Sequence, residues 1–173
     1  KAQQPTVVCV SRLVKYKHVD DLIKAVTLLV KDFPDLQCKI AGSGPEYEKL
    51  RTLARQQGIS QHITFSGFVK DHTEVLDMIK TSHVFCLPSC LEGFGIVIME
   101  SMACGVPFVA AEIPAVREAS GGKGGLFYTC RDVEDLAKKI MILLRDTDLS
   151  ERLTEEGRQR AVEFQWREIS PKA

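Results

Sequence analysis

The sequence predicts an α/β fold, in which helices cover both faces of a parallel sheet of about six strands. Two observations lead to this prediction. Short apolar runs alternate with segments of helical periodicity six times along the 173 residues. These runs are apolar almost throughout, as is typical of strands buried on both sides of a parallel sheet. A hydrophobic content of 45% is enough for one core, so we expect one domain over residues 1–173.

The first three strands are predicted from runs rich in apolar and β-branched residues, at Thr6–Val10, Leu36–Ala41 and His62–Phe65. Apolar residues at helical spacing predict helices at about 19–30, 46–57 and 71–80. The first of these helices must end before Pro34, and Pro45 suits the first position of the second helix. Gly58 is placed to stop the second helix, and Asp71 is placed to cap the third.

The second half of the chain continues the alternation. Three further strands are predicted at His83–Leu87, Val106–Ala110 and Leu126–Tyr128. Helices are predicted from Phe94 to just before Gly105, at 113–119 opened by Pro114, at 133–144 capped by Asp132, and at 149–164. Because no internal repeat or linker interrupts this pattern, we assign the chain to a single parallel sheet.

Composition excludes several classes of protein. The 23 basic and 23 acidic residues balance, which argues against a nucleic-acid groove or a basic membrane-binding face. No apolar run approaches about 18 residues and the start lacks a signal-peptide pattern, so we expect a cytoplasmic location. The six cysteines form no C-x-x-C pair and are expected to be small core residues. A disulfide or metal use of Cys86 and Cys90 is the alternative.

The stretch from residue 88 to residue 107 concentrates unusual residues. It is predicted as a turn followed by a helix, with Glu92 in the turn and Glu100 on the helix. Gly93 and Gly95 flank the predicted helix start. Unpaired backbone N–H groups and the positive end of the helix dipole favour an anion there, and glycines let a ligand approach the backbone. This stretch therefore predicts an anion site.

The two carboxylates of this stretch are too far apart to share a proton. Eight residues correspond to roughly 12 Å along a helix axis and about 80° around it. Glu92 and Glu100 could instead hold two ends of a long, hydroxyl-rich ligand whose negative middle rests on the helix start. The alternative is that Glu92 is a first-turn carboxylate favoured by the dipole and Glu100 a solvated helix residue.

The turn after the first strand carries Arg12 and Lys17. Arg12 can meet phosphate oxygens with its planar fork, and Lys17 can act as a point charge. In parallel sheets, ligands bind beyond the carboxyl ends of the strands, near the point where the strand order reverses. The basic turn, the glycines after the second strand and the Glu92 turn are all expected at such ends. The alternative is a solvated basic turn.

Several nucleotide-binding classes lack their residues in this chain. No G-x-G-x-x-G follows the first strand, and no acidic residue follows the second strand to bind a ribose. There is no G-x-x-x-x-G-K-[ST] loop, and no aspartate closes a central strand as a phosphoacceptor would. The remaining possibility is a site in which two cations and a helix start hold an anion, and carboxylates accept from the hydroxyls of the ligand. These are the parts that a nucleoside-diphosphate sugar requires.

Five segments carry a recognisable pattern, namely Ser11-Arg-Leu-x-x-x-Lys17, Ile40-Ala-Gly-Ser-Gly-Pro45, Phe65-Ser-Gly-Phe68, Pro88-Ser-x-x-Glu-Gly-Phe-Gly95 and Glu100-x-Met-Ala-Cys-Gly-x-Pro107. They resemble the carboxyl-terminal domain of the family 4 retaining glycosyltransferases, whose GT-B fold has two Rossmann-like domains. The resemblance extends from Val7 to about Ile169. The spacing of seven residues between Glu92 and Glu100 is its most specific part.

The resemblance implies catalytic roles for three residues. Arg12 and Lys17 would bind the donor diphosphate and stabilise its charge as the glycosidic bond breaks. Glu92 would contact hydroxyls of the donor hexose close to the reacting carbon. The other implied donor contacts come from Gly44 and Val69 near the nucleotide, from Gly93, Phe94, Gly95 and Ile96 around the sugar and phosphate, and from Glu100 at the ribose.

The sequence departs from the resemblance at two positions. Ser11 stands where glycine is common, and His18 stands where glycine often follows the lysine. His18 either narrows the donor pocket or begins the helix in solvent, and we expect the second.

The resemblance further implies that this chain is an excised half of a hexosyltransferase. An amino-terminal domain of the same polypeptide would hold the acceptor site and a catalytic histidine. The isolated chain would bind the sugar nucleotide weakly and transfer nothing. UDP-hexose is the expected donor, followed by GDP-mannose, and the acceptor would be a glycan or lipid, as in polysaccharide biosynthesis. No cofactor or metal is expected, and any membrane contact would come through the absent half.

Two other functional classes stay open at this point. Sugar-nucleotide epimerases share this architecture, so an isomerase is one alternative. The other alternative is a non-catalytic module that binds a nucleotide sugar. The presence of Arg12, Lys17, Glu92 and Glu100 together argues against a decayed site.

Overall fold

A computed structural model describes the backbone of residues 2–169 and the side chains of residues 2–164. Its centre is a sheet of six strands that all run parallel, in the order β3-β2-β1-β4-β5-β6. The strands lie at Thr6–Val10 (β1), Gln37–Ala41 (β2), Ile63–Gly67 (β3), Val84–Leu87 (β4), Phe108–Ala111 (β5) and Gly125–Tyr128 (β6). The predicted number and direction of strands are confirmed.

The described residues also form seven α-helices, at Val19–Leu29 (α1), Tyr47–Gln56 (α2), His72–Lys80 (α3), Ile96–Ala103 (α4), Pro114–Ser120 (α5), Val133–Arg145 (α6) and Thr147–Ile169 (α7). Two predicted caps are confirmed by hydrogen bonds. The Asp71 carboxylate accepts from the Thr73 N–H at 2.8 Å, and the Asp132 carboxylate accepts from the Asp135 N–H at 2.9 Å.

Two predicted helix starts were wrong. α4 begins at Ile96 and not at Phe94, because Gly95 takes a left-handed conformation (φ 75°) that interrupts the helical backbone. α2 begins at Tyr47 and not at Pro45, and the N–H of its N-cap residue Glu46 donates to the Leu13 carbonyl 3.0 Å away, in the turn after β1. In both cases the turn is longer than predicted, and it lies at the carboxyl end of a strand.

Both faces of the sheet are buried, as the uniformly apolar strands predicted. Alternate residues of β1 enter different cores: Val7 and Cys9 face one side, and Val8 faces the other. Helices α1, α2 and α6 cover the first side, and α3, α4 and α5 cover the second, while α7 contributes Leu153 to the first core and Ala161 to the second. The sheet therefore lies between two layers of helices and is a rigid support for its edge loops.

The strand order reverses between β1 and β4, which are neighbours in the sheet although β2 and β3 lie between them in sequence. Connections from β1 lead to one side of this point and connections from β4 lead to the other, so a crevice opens beyond their carboxyl ends. The turn with Arg12 and Lys17 follows β1, and the turn with Glu92 follows β4. The two predicted site turns therefore border the same crevice.

The cysteines follow the prediction in part. Cys9, Cys38 and Cys86 are fully buried, as expected of small core residues, and Cys104 is partly buried. The prediction was wrong for Cys90 and Cys130, which form a disulfide across a Cα–Cα distance of 5.8 Å. These two residues follow β4 and β6, so the parallel sheet brings them to one edge although 40 positions separate them in sequence.

Among the helices of the described residues, none combines the length and the apolar character that crossing a bilayer would require.

Candidate functional site

The turn after β1 is held against the turn after β2 by backbone contacts. The Leu13 N–H donates to the Ser43 carbonyl at 2.9 Å. Gly42 and Gly44 allow this approach, because a Cβ on Gly42 would lie 1.8 Å from the Ser11 carbonyl oxygen and a Cβ on Gly44 2.3 Å from that of Leu13. The two glycines therefore allow the turn after β1, which carries Arg12 and Lys17, to lie directly against the turn after β2.

Lys17 reaches across the crevice to the turn after β4. Its Nζ lies 2.6 Å from Glu92 Oε1, and the two side chains are only 12% and 11% exposed. A charge-assisted contact this short and this shielded from water is stronger than a surface ion pair. It joins two of the residues for which the sequence predicted catalytic roles.

The start of α4 is open to an anion. No side chain caps α4 at Gly95, so the N–H groups of its first turn have no side-chain partner among the described residues. A Cβ on Gly93 would meet no atom within 4 Å, and one on Gly95 only side-chain atoms at 3.8 Å or more. Gly93 is exposed, so its backbone is accessible to a ligand, whereas Gly95 is buried. Phe94 instead turns its ring towards Phe164, 5.4 Å away between centroids.

A cleft of about 490 Å³ lies between the ends of β1, β2 and the start of α4. Its lining includes four of the predicted site residues, Arg12, Val69, Ile96 and Glu100. Phe68 and Ile96 expose large apolar surfaces in it, 74% and 65% of each residue. The cleft thus combines one cation and one carboxylate with apolar walls.

Some predicted residues lie outside the lining of this cleft. Lys17, Glu92 and Gly93 lie in its bordering turns, and Gly44 packs on the backbone of Leu13. The role of Gly44 near a nucleotide stays a prediction. Arg12, at the edge of the cleft, donates through Nη2 to the Tyr16 hydroxyl at 2.5 Å.

Glu100 is paired within the cleft. His72 Nε2, at the start of α3, lies 3.2 Å from Glu100 Oε1, and both residues line the cavity. Burial raises the pKa of the Glu100 carboxyl, and the nearby His72 opposes the rise. Glu100 is therefore a half-buried acceptor and not the solvated helix residue of the alternative reading.

A buried acidic residue that the sequence pattern did not indicate lies next to the site. Asp21 on α1 is 1% exposed, and Arg131 Nε lies 3.2 Å from its Oδ2. Arg131 also contacts His18 through Nη1. His18 begins α1 as its N-cap residue, as expected, but it is half-buried and does not lie in open solvent. Its left-handed backbone (φ 51°) explains why the resemblance has glycine here.

The cluster around His18 holds the only three candidate metal ligands that lie close together among the described side chains. Ligand atoms of His18, Asp20 and Asp21 lie within 4.8 Å of one another. However, Arg131 Nε is 3.2 Å and Lys24 Nζ 3.6 Å from the oxygens of Asp21. These side chains already supply positive charge, so the donor set does not favour a metal ion.

The buried Asp21 predicts a pH dependence of stability. Its pKa is raised from 3.8, chiefly by burial and then by Asp20, while Arg131, Lys24 and His18 oppose the rise. The folded state therefore holds this proton more tightly than the unfolded chain. This stabilisation is present at pH values below the ordinary pKa of an aspartate in the unfolded chain. It is lost as the pH rises through the raised pKa of Asp21 in the folded state.

Urea unfolding of the wild type and of Asp21→Asn between pH 4 and pH 7 measures this effect. We expect the urea midpoint of the wild type to fall relative to that of Asp21→Asn as the pH rises. Parallel midpoints across this range would contradict the raised pKa, because asparagine does not titrate.

The sequence matches the family described as glycosyl transferases group 1 over residues 1–160, and the chain belongs to that family. Its fold is that of a GT-B glycosyltransferase domain.

One relative is the GDP-mannose-dependent alpha-(1-6)-phosphatidylinositol monomannoside mannosyltransferase of Mycobacterium tuberculosis. It is 34% identical to this chain, and the alignment covers 95% of the chain and 44% of the relative. The chain spans less than half the length of the first curated relatives it matches.

Two solved structures have a similar fold. The catalytic domain of the cholesterol-alpha-glucosyltransferase of Helicobacter pylori has a TM-score of 0.82 and 26% identity, with 94% of this chain and 99% of that chain covered. The pneumococcal O-GlcNAc transferase GtfA, in complex with UDP and GlcNAc, has a TM-score of 0.82 and 25% identity, with 96% of this chain and 36% of that chain covered. The likeness extends over nearly all of the present chain.

Proposed function

We propose that this chain is the donor-binding, carboxyl-terminal domain of a retaining hexosyltransferase. One observation carries the proposal. At the point where the strand order reverses, the cationic turn after β1 and the uncapped start of α4 border one crevice, and the Lys17–Glu92 contact of 2.6 Å joins them. A nucleoside-diphosphate sugar has the matching charges and hydroxyls.

The proposed mechanism relies on electrostatic stabilisation of the leaving group. As the glycosidic bond breaks, negative charge develops on the β-phosphate of the donor. Arg12, Lys17 and the N–H groups at the start of α4, which lack a side-chain cap, favour that charge more than water does. These side chains and the helix start supply the positive charge without a metal ion.

The carboxylates have separate roles in this proposal. Glu92 accepts hydrogen bonds from hydroxyls of the donor hexose, next to the cation that holds the phosphate. Glu100, in the cleft, accepts from the ribose hydroxyls, and the exposed Phe68 and the Val69 backbone face the base. No nucleophile is assigned, and the retained configuration rests on the family resemblance.

UDP-hexose is the first proposed donor and GDP-mannose the second. The pneumococcal structure, with UDP and GlcNAc, supports the first, and the name of the mycobacterial relative supports the second. Because those relatives are more than twice as long, we propose that an amino-terminal domain of the same protein binds the glycan or lipid acceptor. We further propose that the complete enzyme acts in the cytoplasm and that the isolated domain transfers nothing.

Calorimetric titration of this chain with UDP, GDP and ADP tests donor binding. We expect binding in the millimolar range or tighter, and a loss of most of the binding heat in Arg12→Ala, because Arg12 lines the cleft and can meet phosphate oxygens.

The matched control is Arg145→Ala, which removes an exposed cation paired with Asp32 at 2.6 Å away from the cleft. It should bind as the wild type does. If the wild type shows no heat with any of the three nucleotides at millimolar concentration, the proposed donor site is refuted.

A further inference from the structure

The Cys90–Cys130 disulfide ties together two turns at the site edge of the sheet. Cys90 lies two residues before Glu92, in the turn after β4, and Cys130 lies directly before Arg131, in the turn after β6. The bond therefore limits how far the turn that carries Glu92 can move away from the turn that carries Arg131.

Side-chain contacts continue this connection to the turn after β1. Arg131 contacts His18 and lies 3.2 Å from a carboxylate oxygen of the buried Asp21. His18 directly follows Lys17 in the chain, and Lys17 pairs with Glu92. The disulfide, the Arg131 contacts and the Lys17–Glu92 ion pair form a closed ring, which we call the site ring.

We propose that Cys90 and Cys130 are positioning residues of the donor site, so that forming their disulfide strengthens nucleotide binding. The inference rests on the proposed function. With the disulfide formed, the turn that carries Glu92 is tied covalently to the turn that carries Arg131, and through the Arg131 contacts to the turn after β1. Less conformational freedom of these turns is then lost on binding. With two free thiols, only noncovalent contacts connect the β4 and β6 turns.

The other cysteines do not offer this link. Cys9, Cys38 and Cys86 are fully buried in the sheet, and burial raises the pKa of each thiol, which suppresses the reactive thiolate. Cys90 and Cys130 are only partly buried, so a small reagent can reach them. Cys104 follows the far end of α4 and has no cysteine partner in the structure.

The chemistry is a thiol–disulfide exchange with a small-molecule disulfide. The thiolate of one cysteine attacks that disulfide, forms a mixed disulfide and expels one small thiol. The second cysteine thiolate then attacks the mixed disulfide, forms the Cys90–Cys130 bond and expels the second small thiol. The protein gives up two electrons and two protons, which the small disulfide takes up. In a reducing compartment such a bond is transient, which suits an adjustable site.

The test compares one protein in two redox states. The chain is equilibrated with oxidised glutathione or with reduced dithiothreitol, and alkylation followed by intact-mass measurement counts the free thiols. UDP is then titrated into both forms by calorimetry, and circular dichroism verifies that both are folded. We expect the reduced form to bind UDP about 5- to 10-fold more weakly, because its turns are less preorganised.

Two variants provide the controls. Cys130→Ser should bind UDP as the reduced wild type does in either reagent. Cys104→Ser removes a partly buried cysteine outside the site ring and should keep the full redox response.

Equal UDP affinity of the oxidised and reduced forms would overturn the positioning role, as would alkylation of both cysteines after oxidation. If neither form binds UDP, GDP or ADP, the proposed function itself fails and the positioning role fails with it. A redox response that survives in Cys130→Ser would also overturn the inference.

Discussion

Replacing Lys17 by alanine is expected to lower kcat/KM of the full-length enzyme for its sugar-nucleotide donor by about 10²–10³-fold, the usual effect of removing one charge-stabilising group. Two causes combine. The β-phosphate loses a fixed cation at the moment when its charge grows. Glu92, which is 11% exposed, loses its partner and becomes a poorly solvated lone carboxylate next to an anionic ligand.

Steady-state kinetics with varied donor concentration measure this loss. We expect most of it in kcat, because the stabilised charge develops in the transition state. Lys17→Arg keeps the charge with a different shape and should recover part of the activity. Lys49→Ala removes a cation whose side chain is 75% exposed and pairs with Glu46, and it is the matched control. Wild-type kcat/KM in Lys17→Ala would refute the role of Lys17.

Gly42→Ala is expected to destabilise the domain by about 3 kcal/mol or more, the sum of overpacking and a strained backbone. The added Cβ would lie 1.8 Å from the Ser11 carbonyl oxygen, and φ at this position is 143°. The clash is with backbone that a hydrogen bond holds in place, since the Ser11 N–H donates to the Ala41 carbonyl at 3.0 Å. Relief would have to separate the turns after β1 and β2.

Urea unfolding measures this effect, and two other glycines separate its causes. A Cβ on Gly58 meets nothing within 4 Å but sits at φ 69°, so Gly58→Ala should cost about 1 kcal/mol from the backbone alone. A Cβ on Gly93 also meets nothing, and its φ is not positive, so Gly93→Ala should stay within about 0.5 kcal/mol of the wild type. A Gly42→Ala protein as stable as Gly93→Ala would contradict the close backbone contact.

The strands and helices could be predicted because their signals are local. The apolar runs before residue 11 and residue 88 specify buried strands through their own composition, and Asp71 and Asp132 cap helices through bonds to residues two and three positions away. The turns that hold the site were also found, because parallel strands place all their carboxyl ends on one edge. Local chemistry and one topological rule were sufficient for these parts.

The contacts within the site depend on residues far apart in the sequence. In the sequence, Asp21 is one of two adjacent acidic residues on an amphipathic helix. Arg131 follows it by 110 positions, and only the fold places the two side chains side by side. Cys90 and Cys130 have no spacing signature for the same reason. The helix start at Ile96 was missed because the left-handed conformation of Gly95 follows from its packing, and periodicity does not report a backbone angle.

The Lys17–Glu92 ion pair has a consequence for selectivity. Lys17 lies 2.6 Å from Glu92, so under the proposed function an anion that binds Lys17 competes with this carboxylate. Inorganic phosphate would leave the Glu92 carboxylate without a hydrogen-bond donor. A sugar phosphate would bring hydroxyl groups that donate to Glu92, so under the proposed function the ion pair favours glycosylated phosphates over bare ones.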